Sequence, residues 1–220
     1  MSASDGLEEL ERPAPDATPE RRSGDADQLV IACGALAREI LALIRLNGWT
    51  HLDLTCLPAE LHNRPERIPE RLREKIRANR DRYKKIWIGY ADCGTGGALD
   101  RVLAEEGGER LAGPHCYAFF AGQKEFDALH EAEPGTFYLT DYLARHFETL
   151  VVKGMKLDRH PELLSMMFGN YTRLVYLAQI DDPALDAAAQ AAAERLGLAY
   201  EKRRTGYGEL ADFLARTAHD

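Results

Sequence analysis

Three cysteines of this chain occupy positions where a parallel α/β sheet gathers reactive side chains. Cys33 ends the apolar run 29–33, Cys93 follows the apolar run 86–90 at the start of a glycine-rich turn, and Cys116 lies in the segment Gly-Pro-His-Cys-Tyr. Because the carboxyl ends of parallel strands meet at one edge, we expect the three thiols to share a site. A following helix N-terminus lowers a thiol pKa and favours the reactive thiolate.

Three thiolates suit a soft metal. Thiolates select zinc, copper(I) or iron–sulfur clusters, and three protein ligands leave one position for a substrate. Cys33, Cys93 and Cys116 are therefore predicted to hold an iron–sulfur cluster or a transition metal such as zinc. The alternative is that each cysteine is a small core side chain, since cysteine is among the most buried residue types. That structural interpretation is preferred for Cys56.

Polar residues near these cysteines and in two loops are candidates for proton transfer and substrate binding. Asp92, His115 and His160 are predicted to move protons, although Asp92 is equally typical of a turn. A small anionic substrate is predicted to bind a set of loop residues that offer amide, cationic and backbone N–H donors. This set is Asn63, Arg64, Thr95, Gly96, Gly97, Asp158 and Arg159. For the loop residues before prolines, helix capping is the alternative.

Apolar periodicity predicts a regular alternation of strands and helices. Strands are predicted at 29–33, 51–56, 86–90, 135–140, 172–179 and 198–203, and helices at 35–47, 65–83, 99–106, 118–131, 141–150, 162–169 and 182–196. This alternation predicts an α/β fold, with a doubly wound, mostly parallel sheet and helices on both faces.

The N-terminal segment differs in composition from the rest of the chain. Residues 1–28 hold eight carboxylates, three arginines and three prolines but no aromatic residue, which predicts a disordered acidic tail before a single α/β domain at 29–220. The net charge of −8 lies mostly in this tail, so nucleic-acid binding is not expected. Without a signal-peptide core or a long apolar stretch, we expect a cytoplasmic protein with reduced thiols and no membrane partner.

Six motifs in one order resemble those of the domain of unknown function family 1638. They lie at residues 32–36, 57–65, 92–97, 113–117, 157–163 and 168–171. The resemblance covers roughly residues 29–210. Members of that family occur in bacteria and methanogenic archaea, and some are associated with corrinoid-dependent methyl transfer. The resemblance thus implies a setting in one-carbon or methylamine metabolism.

Three functions follow from these features. The first is a metal- or [4Fe–4S]-dependent enzyme, a lyase or transferase, that acts on a small anionic substrate in one-carbon, methylamine or sulfur metabolism. The second is a non-catalytic accessory protein that binds corrinoid or methyltransferase partners. The third is a thiol enzyme in which Cys93 is a nucleophile without a metal.

Overall fold

The strands of the chain are divided between two sheets. The structure is a computed structural model that describes residues 20–218. The strands are β1 (Glu20–Arg21), β2 (Gln28–Cys33), β3 (Leu52–Leu57), β4 (Lys85–Gly89), β5 (Glu109–Arg110), β6 (Thr136–Thr140), β7 (Arg173–Ala178) and β8 (Ala199–Arg204). The first sheet has the order β1-β3-β2-β4-β5 and the second has the order β6-β7-β8. Neighbouring strands are parallel except β1 and β3.

Helices connect the strands and cover the sheets. They are α1 (Ala37–Asn47), α2 (Ile68–Asn79), α3 (Ala98–Glu106), α4 (Cys116–Ala121), α5 (Gln123–Ala132), α6 (Asp141–Phe147), α7 (Leu163–Phe168), α8 (Pro183–Leu196) and α9 (Gly208–Arg216). Short 3₁₀ turns at Gly34–Leu36, Ala59–Asn63 and Pro65–Arg67 lead into α1 and α2. A π-helix at Glu148–Lys153 extends α6.

The burial of the central strands shows why helices lie on both faces. Five consecutive residues of β2 and five of β7 are buried, whereas a sheet with one wet face would bury only alternate residues. The predicted fold class is therefore confirmed: α/β, mostly parallel, with helices on both faces. The sequence predicted a single sheet, whereas the strands of the structure form two sheets.

The two sheets have separate apolar cores, and the last helix completes the first of them. Leu210, Phe213 and Leu214 of α9 pack in the core of the first sheet, where the rings of Phe213 and Trp87 lie 5.7 Å apart. The core of the second sheet contains side chains of α6 and α8. A smaller cluster joins α4 and α5 to the second sheet. The predicted elements end at residue 203, so α9 is an addition.

Two predicted helices are divided in the structure. The helix predicted at 118–131 is interrupted by Gly122, whose φ of 82° is left-handed and ends α4 before α5 begins. The helix predicted at 141–150 becomes a π-helix after Phe147, with Val151 and Val152 buried. π-helical turns are often found at functional sites, and this one borders the cavity described below.

The predicted acidic tail lies partly within the described residues. Residues 1–19 lie outside them, but Glu20 and Arg21 form β1, which pairs with Leu54 and Thr55 of β3. The fully buried carboxylate of Asp53 secures this strand: its Oδ1 accepts from the Ser23 amide at 2.7 Å, and its Oδ2 accepts from the Tyr83 hydroxyl at 2.7 Å. Residues 20, 21 and 23 therefore contact the first sheet, although they precede the predicted domain boundary at residue 29.

The start of α8 offers a local test of the fold. Asp182 Oδ1 accepts hydrogen bonds from the backbone amides of Ala184 and Leu185, and Pro183 takes the first helical position. Asp182→Ala should lower the free energy of unfolding by about 1 kcal/mol, measured by urea denaturation. Asp182→Asn keeps a capping oxygen and should stay close to wild type. Equal losses in both variants would show that the cap is not the cause.

Candidate active site

The three predicted thiols line one cavity between the two sheets. Cys33 is the last residue of β2, Cys93 follows β4 in a turn, and Cys116 is the first residue of α4. None of the three forms a disulfide. The cavity has a volume of about 80 Å³, which is room for several water molecules or a small ligand. The predicted convergence of Cys33, Cys93 and Cys116 is thus observed.

Cys93 and Cys116 are in direct contact. Their Sγ atoms lie 3.1 Å apart. The backbone places them there, because the Asp92 amide donates to the Gly113 carbonyl at 3.0 Å and the Cys93 amide donates to the Pro114 carbonyl at 2.9 Å. Cys93 has a φ of 49°, which is rare for a residue with a side chain and is often found at functional positions. A strained turn therefore holds Cys93 against the start of α4.

The contact makes the two thiols electrostatically different. The hydrogen bond from the Cys116 S–H favours the thiolate of Cys93 and lowers the pKa of Cys93, in spite of its burial. The same bond, together with burial, raises the pKa of Cys116 well above the usual thiol value. Burial raises the pKa of Cys33 to about 11. Cys93 is thus the thiol of the three that ionises most readily.

Tyr90 brings a buried hydroxyl to the same corner. Burial, followed by the proximity of Cys33 and Cys116, raises the pKa of Tyr90 well above 10. Its oxygen lies near Cys33 but has no partner with hydrogen-bond geometry among residues 20–218. The hydroxyl therefore remains protonated and is available to a ligand. Because Tyr90 directly follows β4, the rule that located Cys93 also locates this residue.

The mouth of the cavity is formed by His62, Asn63 and Tyr117. The Tyr117 hydroxyl oxygen lies 3.3 Å from His62 Nε2. Although part of His62 is exposed to solvent, protein atoms crowd its ring, and this desolvation lowers the pKa of His62. His62 is therefore neutral at pH 7 and can accept a proton. Substrate binding was predicted for Asn63, but no role was predicted for His62.

The opposite wall comes from the second sheet and its helices. Asn63 Nδ2 donates to the carbonyl of Leu150 at 3.3 Å, across the cavity mouth. Burial and the nearby Cys33 raise the pKa of Tyr142 to about 12, so its hydroxyl stays protonated. The other lining residues of this wall are mostly apolar, namely Phe137, Thr140, Leu143, Leu150, Val151 and Met155. No Lys or Arg occurs among the described residues that line the cavity.

Asp92 closes the glycine-rich turn on itself. Its carboxylate accepts from the Thr95 hydroxyl at 2.8 Å and from the amides of Gly96 and Gly97 at 3.1 and 2.7 Å. Burial raises the pKa of Asp92, but these hydrogen bonds outweigh burial and lower it overall. The donors predicted to bind an anion are already engaged. The geometry therefore favours the turn-forming interpretation of Asp92 over a proton-transfer role.

The remaining predicted residues lie away from the cavity. His115 is exposed beside Cys116, with its ring near those of Tyr117 and Phe126. Asp158, Arg159 and His160 are exposed on a turn, where His160 Nδ1 lies 3.1 Å from Glu162 Oε1. Arg64 lines a separate groove, together with the buried Cys56. None of these residues lines the thiol cavity.

Cys93 and Cys116 lie closer together in this structure than two cysteine ligands of one metal do. Two thiolates on one tetrahedral zinc lie about 3.8 Å apart, given a Zn–S distance of about 2.3 Å, and an iron–sulfur cluster separates its cysteines further. The Cys93–Cys116 distance of 3.1 Å is shorter than either arrangement. Within residues 20–218, no group of three or more His, Cys, Asp or Glu side chains has the arrangement of a metal site.

Fold and site together define a mostly parallel α/β protein with a thiol-lined cavity between two sheets. The chain belongs to the family described as Protein of unknown function (DUF1638), whose model matches residues 56–214. This confirms the resemblance. The matched region contains Cys93 and Cys116, and Cys33 precedes it. Comparisons with curated proteins and with solved structures found no match. No helix in the described part of the chain is long and apolar enough to cross a membrane.

Proposed function

We propose that the protein is a thiol-dependent enzyme in which Cys93 is the nucleophile. The observation that supports this most directly is the 3.1 Å contact between Cys93 Sγ and Cys116 Sγ inside a cavity. A thiolate is the nucleophilic form of cysteine, and a hydrogen-bond donor within reach stabilises it. Cys116 is therefore the group that prepares Cys93 for reaction.

The lining of the cavity indicates the kind of substrate. The walls are largely apolar, and besides the thiols their polar side chains are the hydroxyls of Tyr90, Tyr117, Tyr142 and Thr140, the His62 ring and the Asn63 amide. A small uncharged electrophile with one or two hydrogen-bonding groups fits this environment better than an anion does. Arg64 and Arg159, the cations predicted to bind an anionic substrate, do not line the cavity.

The chemistry proposed for Cys93 is a two-step transfer. The thiolate sulfur forms a bond to an electrophilic carbon of the substrate, and the leaving group departs with the electrons of the bond that breaks. A second nucleophile, water or another acceptor, then attacks the same carbon. Cys93 leaves as the thiolate, and the neutral His62 at the cavity mouth accepts the proton that the attacking water or acceptor loses.

Alkylation kinetics test this proposal on the reduced full-length protein. Iodoacetamide should modify Cys93 at pH 7 at least tenfold faster than Cys33 or Cys56, as mapped by mass spectrometry, because thiolate character sets the rate. Cys93→Ser should abolish the fast phase, whereas Cys56→Ser should leave it unchanged. If Cys93 reacts no faster than the buried Cys56, the nucleophile proposal fails.

A three-thiol metal centre is the second candidate, since three elements bring thiols to one cavity. Anaerobic reconstitution with iron and sulfide, or with zinc, followed by metal analysis, separates the two proposals. If a stoichiometric metal binds, protects Cys93 from alkylation and is lost in Cys93→Ser, then Cys93 is a metal ligand together with Cys33 and Cys116. The nucleophile proposal would then be wrong. The association with corrinoid or methyltransferase partners stays a prediction.

A further inference from the structure

The sulfur atoms of Cys93 and Cys116 are close enough to be joined by a small movement. Their Sγ atoms lie 3.1 Å apart, and both residues are free thiols. A disulfide bond is about 2.05 Å long, so the two sulfur atoms would have to approach by about 1 Å. The proposed nucleophilic reaction uses the Cys116 thiol only as a hydrogen-bond donor and leaves its sulfur without a chemical role.

The backbone on both sides of this contact is already held in place. The Cys93 amide donates to the Pro114 carbonyl at 2.9 Å, and the Asp92 amide donates to the Gly113 carbonyl at 3.0 Å. These two hydrogen bonds join the turn after β4 to the residues just before α4, the helix that starts with Cys116. Rotation of the two cysteine side chains can therefore close the remaining gap while the backbone stays paired.

The cavity limits which oxidant can reach the two sulfur atoms. Its volume of about 80 Å³, its largely apolar walls and the absence of Lys and Arg among the described lining residues favour a small uncharged molecule. Hydrogen peroxide is uncharged at neutral pH and only slightly larger than water, and it oxidises thiolates. The buried Tyr90 hydroxyl, which has no hydrogen-bond partner among residues 20–218, lines the same cavity and provides a donor for a peroxide oxygen.

We propose that Cys93 and Cys116 form a dithiol that reduces small hydroperoxides and is converted into an intramolecular disulfide. This second activity rests on the reactive Cys93 thiolate of the proposed function. In the first step the Cys93 sulfur forms a bond to one oxygen of hydrogen peroxide, and the O–O bond breaks. Hydroxide leaves with the electron pair of that bond and takes up a proton to become water, which leaves Cys93 as a sulfenic acid.

Cys116 completes the reaction in a second step. The hydrogen bond to the Cys93 thiolate is the largest cause of the raised pKa of Cys116, and this cause disappears once Cys93 is a sulfenic acid. Cys116 then loses its proton, its sulfur attacks the Cys93 sulfur, and the S–O bond breaks. The departing hydroxide takes up a proton as water. Two thiols thus supply the two electrons that reduce one peroxide, and an external dithiol restores them by thiol–disulfide exchange.

Oxidation of the reduced full-length protein by hydrogen peroxide at pH 7 tests this inference. Mass spectrometry should find the peptides of Cys93 and Cys116 joined, with the loss of two hydrogen atoms. Because oxidation follows thiolate character and access, the disulfide should form at least tenfold faster than the fully buried Cys56 is oxidised. In Cys116→Ser the sulfenic acid of Cys93 should persist and be trapped by dimedone. The matched control, Cys56→Ser, should form the disulfide at the wild-type rate.

Alkylation of the same reduced sample separates this inference from the proposed function. If iodoacetamide modifies Cys93 fast but peroxide joins no Cys93 and Cys116 peptides, the dithiol inference is wrong and the nucleophile proposal stands. If Cys93 is alkylated no faster than Cys56, both fail. A peroxide-formed disulfide that joins Cys33 to either residue would also overturn the inference. These readouts come from the wild-type protein, so they do not depend on whether Cys116→Ser folds.

Discussion

Replacing Cys116 with alanine is expected to slow the alkylation of Cys93 at pH 7 about tenfold. The hydrogen bond from Cys116 is the largest influence on the pKa of Cys93 and lowers it. A hydrogen bond to a charged group contributes about 1.5 kcal/mol, and about 1.4 kcal/mol changes an equilibrium tenfold. Without the donor, the pKa of Cys93 rises and a smaller fraction of the thiol is ionised at neutral pH.

The pH dependence of alkylation separates this effect from a change in access. Loss of the donor moves the midpoint of the rate profile to higher pH, whereas a wider cavity raises the plateau at high pH and leaves the midpoint in place. Cys116→Ser is the matched control, since its hydroxyl can donate to the Cys93 thiolate and should retain most of the neutral rate. An unshifted midpoint in Cys116→Ala would remove Cys116 from the proposed mechanism.

Replacing Glu39 with glutamine is expected to stabilise the protein at pH 8 by about 3 kcal/mol. Glu39 lies in α1, is 6% exposed, and its Oε2 has no hydrogen-bond partner among the described residues. Burial raises the pKa of Glu39 to about 7, and the charge of Asp141 acts in the same direction. The nearby cations Arg145 and Arg38 lower the pKa but do not outweigh burial. Ionising this carboxyl in the folded protein therefore costs free energy, about 1.4 kcal/mol per pKa unit.

The sign of the pH dependence follows from proton binding. In the unfolded chain Glu39 has its usual pKa of 4.5, so between pH 4.5 and 7 the folded state binds more protons. The free energy of unfolding should therefore fall as the pH rises through this window, and level off above it. Below pH 4.5 Glu39 is protonated in both the folded and the unfolded state, so its ionisation no longer lowers the free energy of unfolding.

Urea denaturation at several pH values checks this prediction. The advantage of Glu39→Gln should be largest at pH 8 and should shrink below pH 5, where the wild-type carboxyl is neutral. The exposed Glu131 of α5 gives a matched control, because Glu131→Gln removes the same charge without removing a buried one. A constant difference between Glu39→Gln and wild type from pH 4 to pH 8 would contradict a buried, titrating Glu39.

The sequence predicted the thiol corner because its signals are local. An apolar run that ends in cysteine and glycine marks the end of a buried strand, and parallel strands bring such ends together. Cys33 and Cys93 were placed by that rule. Tyr90 and Tyr142 obey it too, since each lies within two residues of the end of a strand. Aromatic residues at such positions also fit a core, so their type alone gave no signal.

The second sheet was not predictable from the same patterns. A buried strand has an apolar run whichever sheet it joins, so β6, β7 and β8 carry no mark of a separate sheet. The rule of one common edge assumes one sheet, whereas here strands, helices and turns of both sheets form the cavity walls, and residues 158–160 are not among the lining residues. The turn-forming role of Asp92 could be predicted from the sequence, because it needs only hydrogen-bond donors from the residues that follow Asp92.

The position of α9 has a consequence for synthesis of the protein on the ribosome. Trp87 of β4 packs against Phe213, which is translated more than a hundred residues later. The strands β2, β3 and β4 therefore leave the ribosome well before α9, the helix that completes their core. Part of their apolar surface stays uncovered until α9 has been synthesised. Domains generally fold as units during translation, and in this chain the N-terminal half is the part that finishes last.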